Sequence, residues 1–573
     1  MLGLIDFHSI KETMKTTQII PLFLFPLIGF IISDCQNKRS QIDRELSSVN
    51  LLRGEITLCG SNQFGEVSFS LACDTATRET FDLAISLLHS FEYEEAEKAF
   101  VKVIDTDPEC AMAYWGVAMS NFHALWLQSG TDYLTKGAKV LEIAESLPKS
   151  EREKDYLDAI GAFYKDWETT DHQARVLRFE KKMEQMYEKY RGDREVAIFY
   201  TIALSAAADP SDKSYKNQKK SGKILTSMFP GQPNHPGIAH YIIHAYDYPE
   251  LAALALPTAR RYAQIAPASA HAQHMPSHIF TRLGLWDESI GSNINSTTSA
   301  LCYGQSIDPE GHWDEELHSI DYLVYAYLQI GDNQKANTQY AYLESFKKVF
   351  PVNFKVAYAT AAIPARITLE NKSWRAAARL VLPSLEIDWD NFPWQKSILH
   401  FARAMGAVRS GDVTSAEQEL SLMDALHQAL LDLDDPYKAN QVQIQIDIIQ
   451  AWIHFAKGHE NEAIALMEQA VANENNTAKH PFTPGEILPA GELLGDLLLA
   501  MNRPSKALEV YENDLMRHAN RFNGMYGAAI ASKAAGDDQK AMMHFERLLQ
   551  QTKSSDSDRP ELEEARKFTA SKE

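Results

Sequence analysis

Histidine is the residue whose distribution in this chain points most directly to chemistry. Six of the 19 histidines fall within 235–278, far more than even spacing would place there, and they are His235, His240, His244, His271, His274 and His278. Two of the pairs, His240/His244 and His274/His278, are four residues apart, a spacing that stacks both imidazoles on one helix face. Such H-x-x-x-H pairs present two nitrogen ligands to Zn, Cu or Ni.

A shared metal site requires the two pairs to meet in space. If their helices lie on neighbouring hairpins, we expect the four rings to converge on one transition metal ion, Zn or Cu, and His318 to join them. Carboxylates usually orient such ligands through the second ring nitrogen. The candidates for that role are Asp247, Asp314 and Glu315.

Two other interpretations of these histidines stay open. A helical histidine among aromatic residues and alanine is often a packed core residue that is hydrogen-bonded to a carbonyl group, and a ligand site without metal is the other alternative. Neither pair contains the glutamate of H-E-x-x-H, so no general base for zinc hydrolysis is built in. Pro276 lies inside the second pair, which requires a helix to start near His274.

The sequence carries no other recognisable catalytic signature. It lacks a G-x-S-x-G elbow, a P-loop and a Rossmann glycine fingerprint. The sequence therefore favours a binding protein over an enzyme and does not identify a substrate.

An aromatic group near the N-terminal end of the chain has two interpretations. Tyr114, Trp115, His123 and Trp126 lie close together in the sequence, and His89 precedes them. Packing between repeats is the favoured interpretation, because aromatic residues fill the grooves between helical hairpins. The alternative is a ligand groove lined by these five side chains.

Helical hairpins are the elements that must position all of these residues. Ala96 lies where the two helices of a tetratricopeptide hairpin cross, Phe100 follows one turn later, and Pro108 closes the second helix. Ala507 and Ala541 repeat the crossing position 34 residues apart, which is the tetratricopeptide period. The sequence therefore predicts an all-α fold, an α-solenoid of antiparallel hairpins, with strands nearly absent.

Between these ends the repeats are longer and less regular. Five further small residues have the character of crossing positions: Ser289, Ala336, Ala377, Ala416 and Ala463. Turns such as Gly331-Asp332 and Gly411-Asp412 precede them. An irregular helical bundle is the alternative to a regular superhelix.

The organisation of the chain follows from these patterns. We expect an export segment over 1–35, a tether with a short extended lead-in over 36–76, and a helical array over 77–350 that contains the histidine-rich region 235–318. A second array is predicted over 351–551 and a charged tail over 552–573.

The N-terminal segment predicts export and a membrane anchor. Lys15 precedes an apolar run over 19–32 that ends at Cys35, which resembles a lipoprotein signal with Cys35 as the lipidated residue. Asp34 departs from the small residue usual at its position, and a single-pass anchor or a simple cleaved signal are the alternatives. We expect an exported protein anchored in the periplasm or cell envelope. In an oxidising compartment a Cys59–Cys73 or a Cys73–Cys110 bridge can form.

The composition excludes one class of partner. The formal charge of −21 and the lack of a basic run disfavour nucleic acid. A protein or peptide partner agrees better with stacked hairpins.

Longer segments resemble a poorly characterised family of bacterial tetratricopeptide-repeat proteins. In that family the positions held here by His89, His123, His240, His244, His274, His278 and His318 look like recurring features. The resemblance covers about residues 66–550 and implies the fold without implying an activity. The segments that carry it are 87–91, 94–96, 107–116, 240–244, 274–279, 318–327 and 520–524.

These observations lead to two hypotheses. The first is a cell-envelope scaffold that binds a peptide or protein in a concave helical groove. The second is a metal-binding protein or metalloenzyme that uses the histidine cluster.

Overall fold

The computed structural model describes residues 42–59, 63–125, 130–478 and 480–572. The predicted export segment 1–35, its lipidation residue Cys35 and the aromatic Trp126 lie outside the described residues. The chain divides into the units Met1–Asn50 and Leu51–Glu573. The described part of the first unit holds a short helical segment over 42–46.

The second unit is an array of helices with little other regular structure in its described part. Its first half contains α1 (Arg78–His89), α2 (Tyr93–Thr106), α3 (Ala111–Phe122), α4 (Thr131–Glu145), α5 (Glu151–Tyr164), α6 (His172–Lys189), α7 (Arg194–Ala206), α8 (Lys216–Met228), α9 (Pro236–Tyr246), α10 (Leu256–Ile265), α11 (Ala270–His274), α12 (Pro276–Leu283), α13 (Trp286–Ile307) and α14 (Asp314–Gln329). Its second half contains α15 (Asn333–Glu344), α16 (Phe354–Glu370), α17 (Trp374–Ala377), α18 (Pro393–Arg409), α19 (Val413–Asp432), α20 (Pro436–Ala456), α21 (Glu460–Asn476), α22 (Ala490–Ala500), α23 (Pro504–Arg517), α24 (Phe522–Ala535), α25 (Asp538–Gln551) and α26 (Pro560–Lys572).

The remaining regular elements are short. Strands β1 (Gly311–Trp313) and β2 (Lys348–Phe350) pair in parallel, with Gly311 opposite Lys348. Single turns of 3₁₀ helix occur at Thr75–Thr77, Phe229–Gly231, Ala252–Leu254 and Trp389–Asn391. Successive helices pack as antiparallel hairpins, so the prediction of an all-α solenoid is confirmed.

The crossing residues explain why the hairpins stack. Every predicted crossing residue is completely buried, and these are Ala96, Ser289, Ala336, Ala377, Ala416, Ala463, Ala507 and Ala541. The aromatic residue one turn after a crossing residue packs on a glycine of the next helix. For example, a Cβ added at Gly116 would lie 2.3 Å from the Phe100 ring, which is too close for any larger residue. A Cβ at Gly527 would lie 2.4 Å from the Tyr511 ring. Small residues thus allow neighbouring helices the close approach that ridge-into-groove packing requires.

Glycine–aspartate turns start several hairpins. Gly331 and Gly411 have positive φ angles of 72° and 89°, which glycine adopts without steric cost. The aspartates that follow cap the next helix, because Asp332 accepts from the Lys335 N–H at 3.0 Å and Asp412 from the Ser415 N–H at 3.0 Å.

In its described parts, 51–59 and 63–76, the lead-in has no α-helix and is held by acidic side chains of the first helices. The Leu52 N–H donates to Glu97 Oε1 at 2.9 Å, and the Phe69 N–H donates to Asp82 Oδ1 at 2.8 Å. Phe69 is fully buried, so this segment forms part of the core of the second unit.

Two disulfides fix the lead-in. Cys73 pairs with Cys110, one of the two bridges that the sequence allowed. Cys59 pairs with Cys302 on α13, so the alternative bridge Cys59–Cys73 is wrong. The reason is that the lead-in reaches α13, where Cys302 lies 243 residues after Cys59 in the sequence.

The C-terminal hairpins contact the middle of the array. Trp286 Nε1 donates to the carbonyl of Asn520 at 2.8 Å, and Asn520 Nδ2 donates to the carbonyl of Gly284 at 3.1 Å. Residues on both sides of position 350 belong to one compact unit. Within the described residues, every helix is too short or too polar to cross a membrane.

Candidate metal centre

Four helices of the array carry the histidines. His240 and His244 lie on α9, and His318 lies on α14. Helix α11 ends at His274, and α12 begins at Pro276. Proline is tolerated at the first position of a helix, because the N–H that it lacks would make no hydrogen bond within the helix there. The helix boundary that Pro276 requires is therefore present.

The first histidine group contains His240, His244 and His271. Their ligating nitrogens all lie within 4.8 Å of one another, and His240 Nε2 is 3.0 Å from His244 Nε2. His240 Nδ1 donates to the carbonyl oxygen of His89 at 2.7 Å, and His271 Nδ1 bonds Glu315 Oε1 at 3.1 Å. With both Nδ1 atoms held by oxygens, the Nε2 atoms are the ones available to the group.

The second histidine group contains His274, His278 and His318. Their ligating nitrogens again lie within 4.8 Å of one another, and His274 Nε2 is 3.0 Å from His278 Nε2. His274 Nδ1 donates to Asn293 Oδ1 at 2.7 Å, and His278 Nδ1 donates to Asp247 Oδ2 at 2.8 Å. All three side chains are buried, and the His318 ring centroid is 4.3 Å from that of His274.

The short nitrogen–nitrogen distance in the second group requires something between the atoms. Because each Nδ1 donates to an oxygen, the Nε2 lone pairs of neutral His274 and His278 would face each other at 3.0 Å. Either a further proton or a metal ion removes that repulsion. Two nitrogens bound tetrahedrally at about 2.0–2.1 Å from Zn²⁺ lie roughly 3.3 Å apart. A small adjustment of the rings therefore suffices for a metal ion.

The electrostatic surroundings favour the neutral form of His240, His274 and His318. Burial lowers the pKa of His240 well below 6.5, and its neighbours His244 and His271 lower it further. Burial and adjacent histidines likewise lower the pKa of His274 and of His318. A neutral imidazole has the free lone pair that a metal ion needs.

Glu315 bonds both His271 and a positively charged lysine. Its Oε2 accepts from Lys355 Nζ at 2.6 Å while its Oε1 holds His271. Burial alone would raise the pKa of Glu315, but Lys355 and His271 lower it well below 4.5. The carboxylate is therefore ionised and is suited to orient a ligating imidazole.

A third histidine arrangement supports the first group. His89 Nε2 and His235 Nε2 bond the two oxygens of Glu195 at 3.0 and 2.8 Å, and all three side chains are buried. A Cβ at Gly237 would lie 2.7 Å from the His89 ring, so glycine is needed there for close packing. This arrangement fixes the backbone of His89, whose carbonyl orients His240.

The predicted convergence of both pairs on one ion is wrong. His240/His244 and His274/His278 belong to different groups, because the short helix α11 directs His271 to one group and His274 to the other. The two groups are adjacent, with the His271 and His274 ring centroids 6.5 Å apart.

Two of the predicted carboxylate partners hold histidines. Asp247 bonds His278, and Glu315 bonds His271. Asp314 instead forms an ion pair with Lys355 at 2.9 Å.

The residues of the predicted ligand groove lie mainly in the interior. His89, Tyr114 and Trp115 are at most 1% exposed, and packing between helices accounts for them. The ring of His123 lies 4.4 Å from that of Tyr93, and burial lowers the pKa of His123 to about 4. Trp126 lies outside the described residues.

Sequence reasoning missed three partners of the site. It did not select His271 as a ligand, because that residue has no partner four residues away. The carbonyl of His89 and the amide of Asn293 are long-range partners that no local pattern reveals. The density of histidines around position 271 was the only available signal.

Comparisons with known proteins indicate no family for this chain. No family model and no curated protein matches it. Among solved structures, the human IFIT1 dimer with m7Gppp-AAAA is 14% identical with a TM-score of 0.35, covering 85% of this chain and 91% of that one. The APC/C hetero-tetramer Cut9-Hcn1 is 11% identical with a TM-score of 0.31, covering 85% and 90%. Likenesses this low carry no inference about function.

Proposed function

We propose that this chain is a metal-binding helical-repeat protein in which the two histidine groups each hold one Zn or Cu ion. The observation that carries the proposal is the 3.0 Å separation of facing Nε2 atoms in both groups. In the second group the Nδ1 atoms of His274 and His278 are bonded to Asn293 and Asp247, respectively. Three imidazole nitrogens suit Zn²⁺ or Cu, and a three-ligand site leaves a coordination position for water or a substrate.

The oxygen partners of the rings support metal binding over simple core packing. Four of the six rings bond an oxygen through Nδ1, an arrangement typical of metal-ligating histidine. These partners come from α1, α13, α14 and the residue after α9, so several separate elements orient the rings. A metal ion held here would supply Lewis acidity. The carboxylate of Asp247 keeps His278 Nδ1 protonated, so that Nε2 would be the ligand atom.

Metal analysis of untagged protein tests the proposal. After incubation with Zn²⁺ or Cu²⁺ and removal of unbound ions, we expect about two equivalents per chain by mass spectrometry of the metal. His240→Ala and His274→Ala should each reduce the content to about one equivalent, and the double variant to none. Asp247→Asn should weaken binding at the second group about 10–100-fold.

His400→Gln is the matched control. His400 is also buried and bonds a carboxylate, Glu419, at 2.6 Å, but it lies outside both groups. This variant should keep both equivalents. Less than about a tenth of an equivalent of either metal in the parent protein would refute the proposal and leave the histidines as packed core residues.

A second candidate function is partner binding by the helical scaffold. A surface hollow of about 1050 Å³ lies against α4, α5 and the following turn, and it offers room for an extended peptide. Its lining mixes apolar and charged side chains, including Leu141, Glu142, Lys149 and Trp167. Such a mixture is typical of reversible protein interfaces.

Photocrosslinking in cells that express the protein tests partner binding. A photoreactive residue in place of Trp167 should capture a distinct protein, and Leu141→Asp should abolish that product. The same reactive residue in place of Met516, which is 76% exposed, is the control. Equal products at both positions would contradict a specific site in the hollow.

We also propose that the protein is exported and anchored to a membrane through Cys35. Two disulfides in the described residues support an oxidising compartment. Cys35→Ser should move the protein from the membrane fraction to the soluble fraction. An unchanged distribution would contradict lipid anchoring.

A further inference from the structure

A second surface hollow adjoins the larger one and is lined mainly by basic side chains. It has a volume of about 460 Å³ and is lined by the C-terminal end of α5, the two residues that follow it, and α6. Its charged lining residues are Lys165, Asp166, Arg178, Lys181 and Lys182. Four positive charges and one negative charge therefore line this hollow, which we call the basic hollow.

One face of α6 supplies most of the basic side chains. Lys181, Lys182 and Gln185 follow Arg178 by three, four and seven residues, a spacing that places all four on the same side of a helix. All four are exposed. A different side of α6 packs into the core through four apolar side chains: Val176, Phe179, Met183 and Met186. The fold thus fixes the helix and leaves its basic face open to solvent.

The basic side chains of this hollow lack acidic partners. Within the described part of the chain, Lys165, Lys181 and Lys182 form no ion pair, and Asp166 is beyond ion-pair distance from them. Arg178 Nη1 donates to the carbonyl oxygen of Lys165 at 3.2 Å, which is a neutral acceptor. The positive charge of the basic hollow is therefore not compensated by the side chains that form it.

Other charges on or beside α6 are paired. Lys189, at the end of α6, pairs with Asp155 on α5 at 2.7 Å. Glu184, on α6, pairs with Lys220 on α8 at 3.0 Å. In a chain with a formal charge of −21, an unpaired group of four basic side chains is a local exception.

The larger hollow continues the basic hollow but has a different character. Ala162, Lys165, Asp166 and Lys182 line both hollows, so the two are continuous. The charges of the larger hollow are nearly balanced, with five acidic and four basic side chains, and it also offers the apolar surfaces of Leu141 and Trp167. An occupant of both hollows would therefore meet apolar side chains in one and uncompensated positive charge in the other.

The shape and charge of these surfaces favour an acidic peptide over other polyanions. A flat membrane surface does not enter a hollow, whereas an extended peptide does. Duplex DNA carries a negative charge about every 1.7 Å along its axis, and the acidic remainder of this protein would repel it. A short acidic segment avoids that repulsion because it contacts the basic hollow alone.

We propose that the basic hollow binds an acidic peptide segment of a partner protein, while an apolar residue of the same segment lies against Trp167 in the larger hollow. The proposal rests on the partner binding proposed above and states the chemistry of the partner. Because exposed charges are screened within about 8 Å at physiological ionic strength, the interaction should weaken with salt.

Binding of two labelled peptides to the full chain tests the proposal. One peptide has a leucine followed by six glutamates, and the other has the same leucine followed by six glutamines. We expect saturable binding of the glutamate peptide by fluorescence anisotropy, at least tenfold tighter than binding of the glutamine peptide. Added NaCl should weaken binding of the glutamate peptide and leave that of the glutamine peptide nearly unchanged.

A double variant and a matched control locate the binding surface. Lys181→Gln together with Lys182→Gln removes two charges from the basic hollow and should weaken binding of the glutamate peptide at least fivefold. Lys567→Gln together with Lys572→Gln removes the same charge from exposed lysines of α26, outside the lining of both hollows, and should leave the affinity unchanged. All four side chains are exposed, so both variants should fold.

Three results with the peptides would overturn the proposal. These are a lack of saturable binding of the glutamate peptide, equal binding of the glutamine peptide, and equal affinity in the parent and the Lys181→Gln, Lys182→Gln variant. Vesicles that contain phosphatidylglycerol provide a further test. If the parent binds them without binding the peptide, and the double variant does not, the surface belongs to a membrane and the proposal is wrong.

Photocrosslinking from position 167 separates this proposal from partner binding itself. The lack of a specific product there would contradict partner binding in the larger hollow. A specific product that is undiminished by Lys181→Gln with Lys182→Gln would overturn the acidic partner and leave partner binding in place.

Discussion

Glu92 should make the protein less stable as the pH rises, and Glu92→Gln should remove that dependence. Glu92 is 5% exposed, and burial raises the pKa of its carboxyl group from 4.5 to about 8. Its Oε1 accepts from Ser269 Oγ at 2.5 Å, and Ser269 in turn caps α11 by accepting from the Ala272 N–H at 3.0 Å. The residue thus lies beneath the short helix that carries His271 and His274.

The sign and size of the effect follow from proton linkage. The folded chain holds this proton more tightly than the unfolded chain, so the contribution is complete below pH 4.5 and is lost as the pH rises through 8. A shift of about 3.5 pKa units corresponds to about 5 kcal/mol at 1.36 kcal/mol per unit, as an upper value. Gln keeps an oxygen acceptor for Ser269 and cannot ionise, so the variant should be more stable than the parent at pH 9.

Urea unfolding at constant ionic strength between pH 5 and pH 9 measures the effect. We expect the free energy of unfolding of the parent to fall by several kcal/mol relative to that of Glu92→Gln across this range. Glu79→Gln, which removes a charge from an exposed position on α1, is the control and should follow the parent. Parallel pH profiles for the parent and Glu92→Gln would refute the reasoning.

Three further substitutions test the packing that supports the site. Gly237→Ala should lower the free energy of unfolding by about 1–3 kcal/mol, because the added methyl group overpacks the His89 ring. Titration with zinc should then show weaker binding at the first histidine group alone. Arg521→Met leaves two buried carboxylates without their cation and should lower the free energy of unfolding by about 3–5 kcal/mol, as measured in urea; a loss below 1 kcal/mol would contradict this. Cys59→Ser should lower the free energy of unfolding by about 2–5 kcal/mol. Cys302→Ser should lower it by the same amount, and the double variant should lose no more than either single variant. Thermal unfolding without reductant measures these differences.

The sequence revealed what depends on local spacing. Ala507 and Ala541 identified the repeat because the crossing of two helices requires a small residue at a fixed place in each hairpin. The histidine pairs were visible for the same reason, since residues four apart share one helix face. Pro276 likewise marked a helix boundary from the chemistry of a single residue.

The assembly of the site depends on contacts that cross the whole array. The ring centroids of His271 and His240 are 5.0 Å apart, and neither residue's neighbours in the sequence encode that meeting. The partner of Cys59 is 243 residues away, so no local rule could select Cys302. The histidine pairs were expected to converge because the short helix between the groups could not be foreseen.

The contacts of the C-terminal hairpins have a consequence for how this array comes apart. An ordinary solenoid behaves as a one-dimensional stack, in which end repeats fray without disturbing the middle. Here Arg521 bonds Glu370 and the hydroxyl of Tyr325, which lie some 150 and 200 residues earlier. Deleting the last hairpins would therefore strip buried charge partners from the central helices, and the whole array should melt as a single cooperative block.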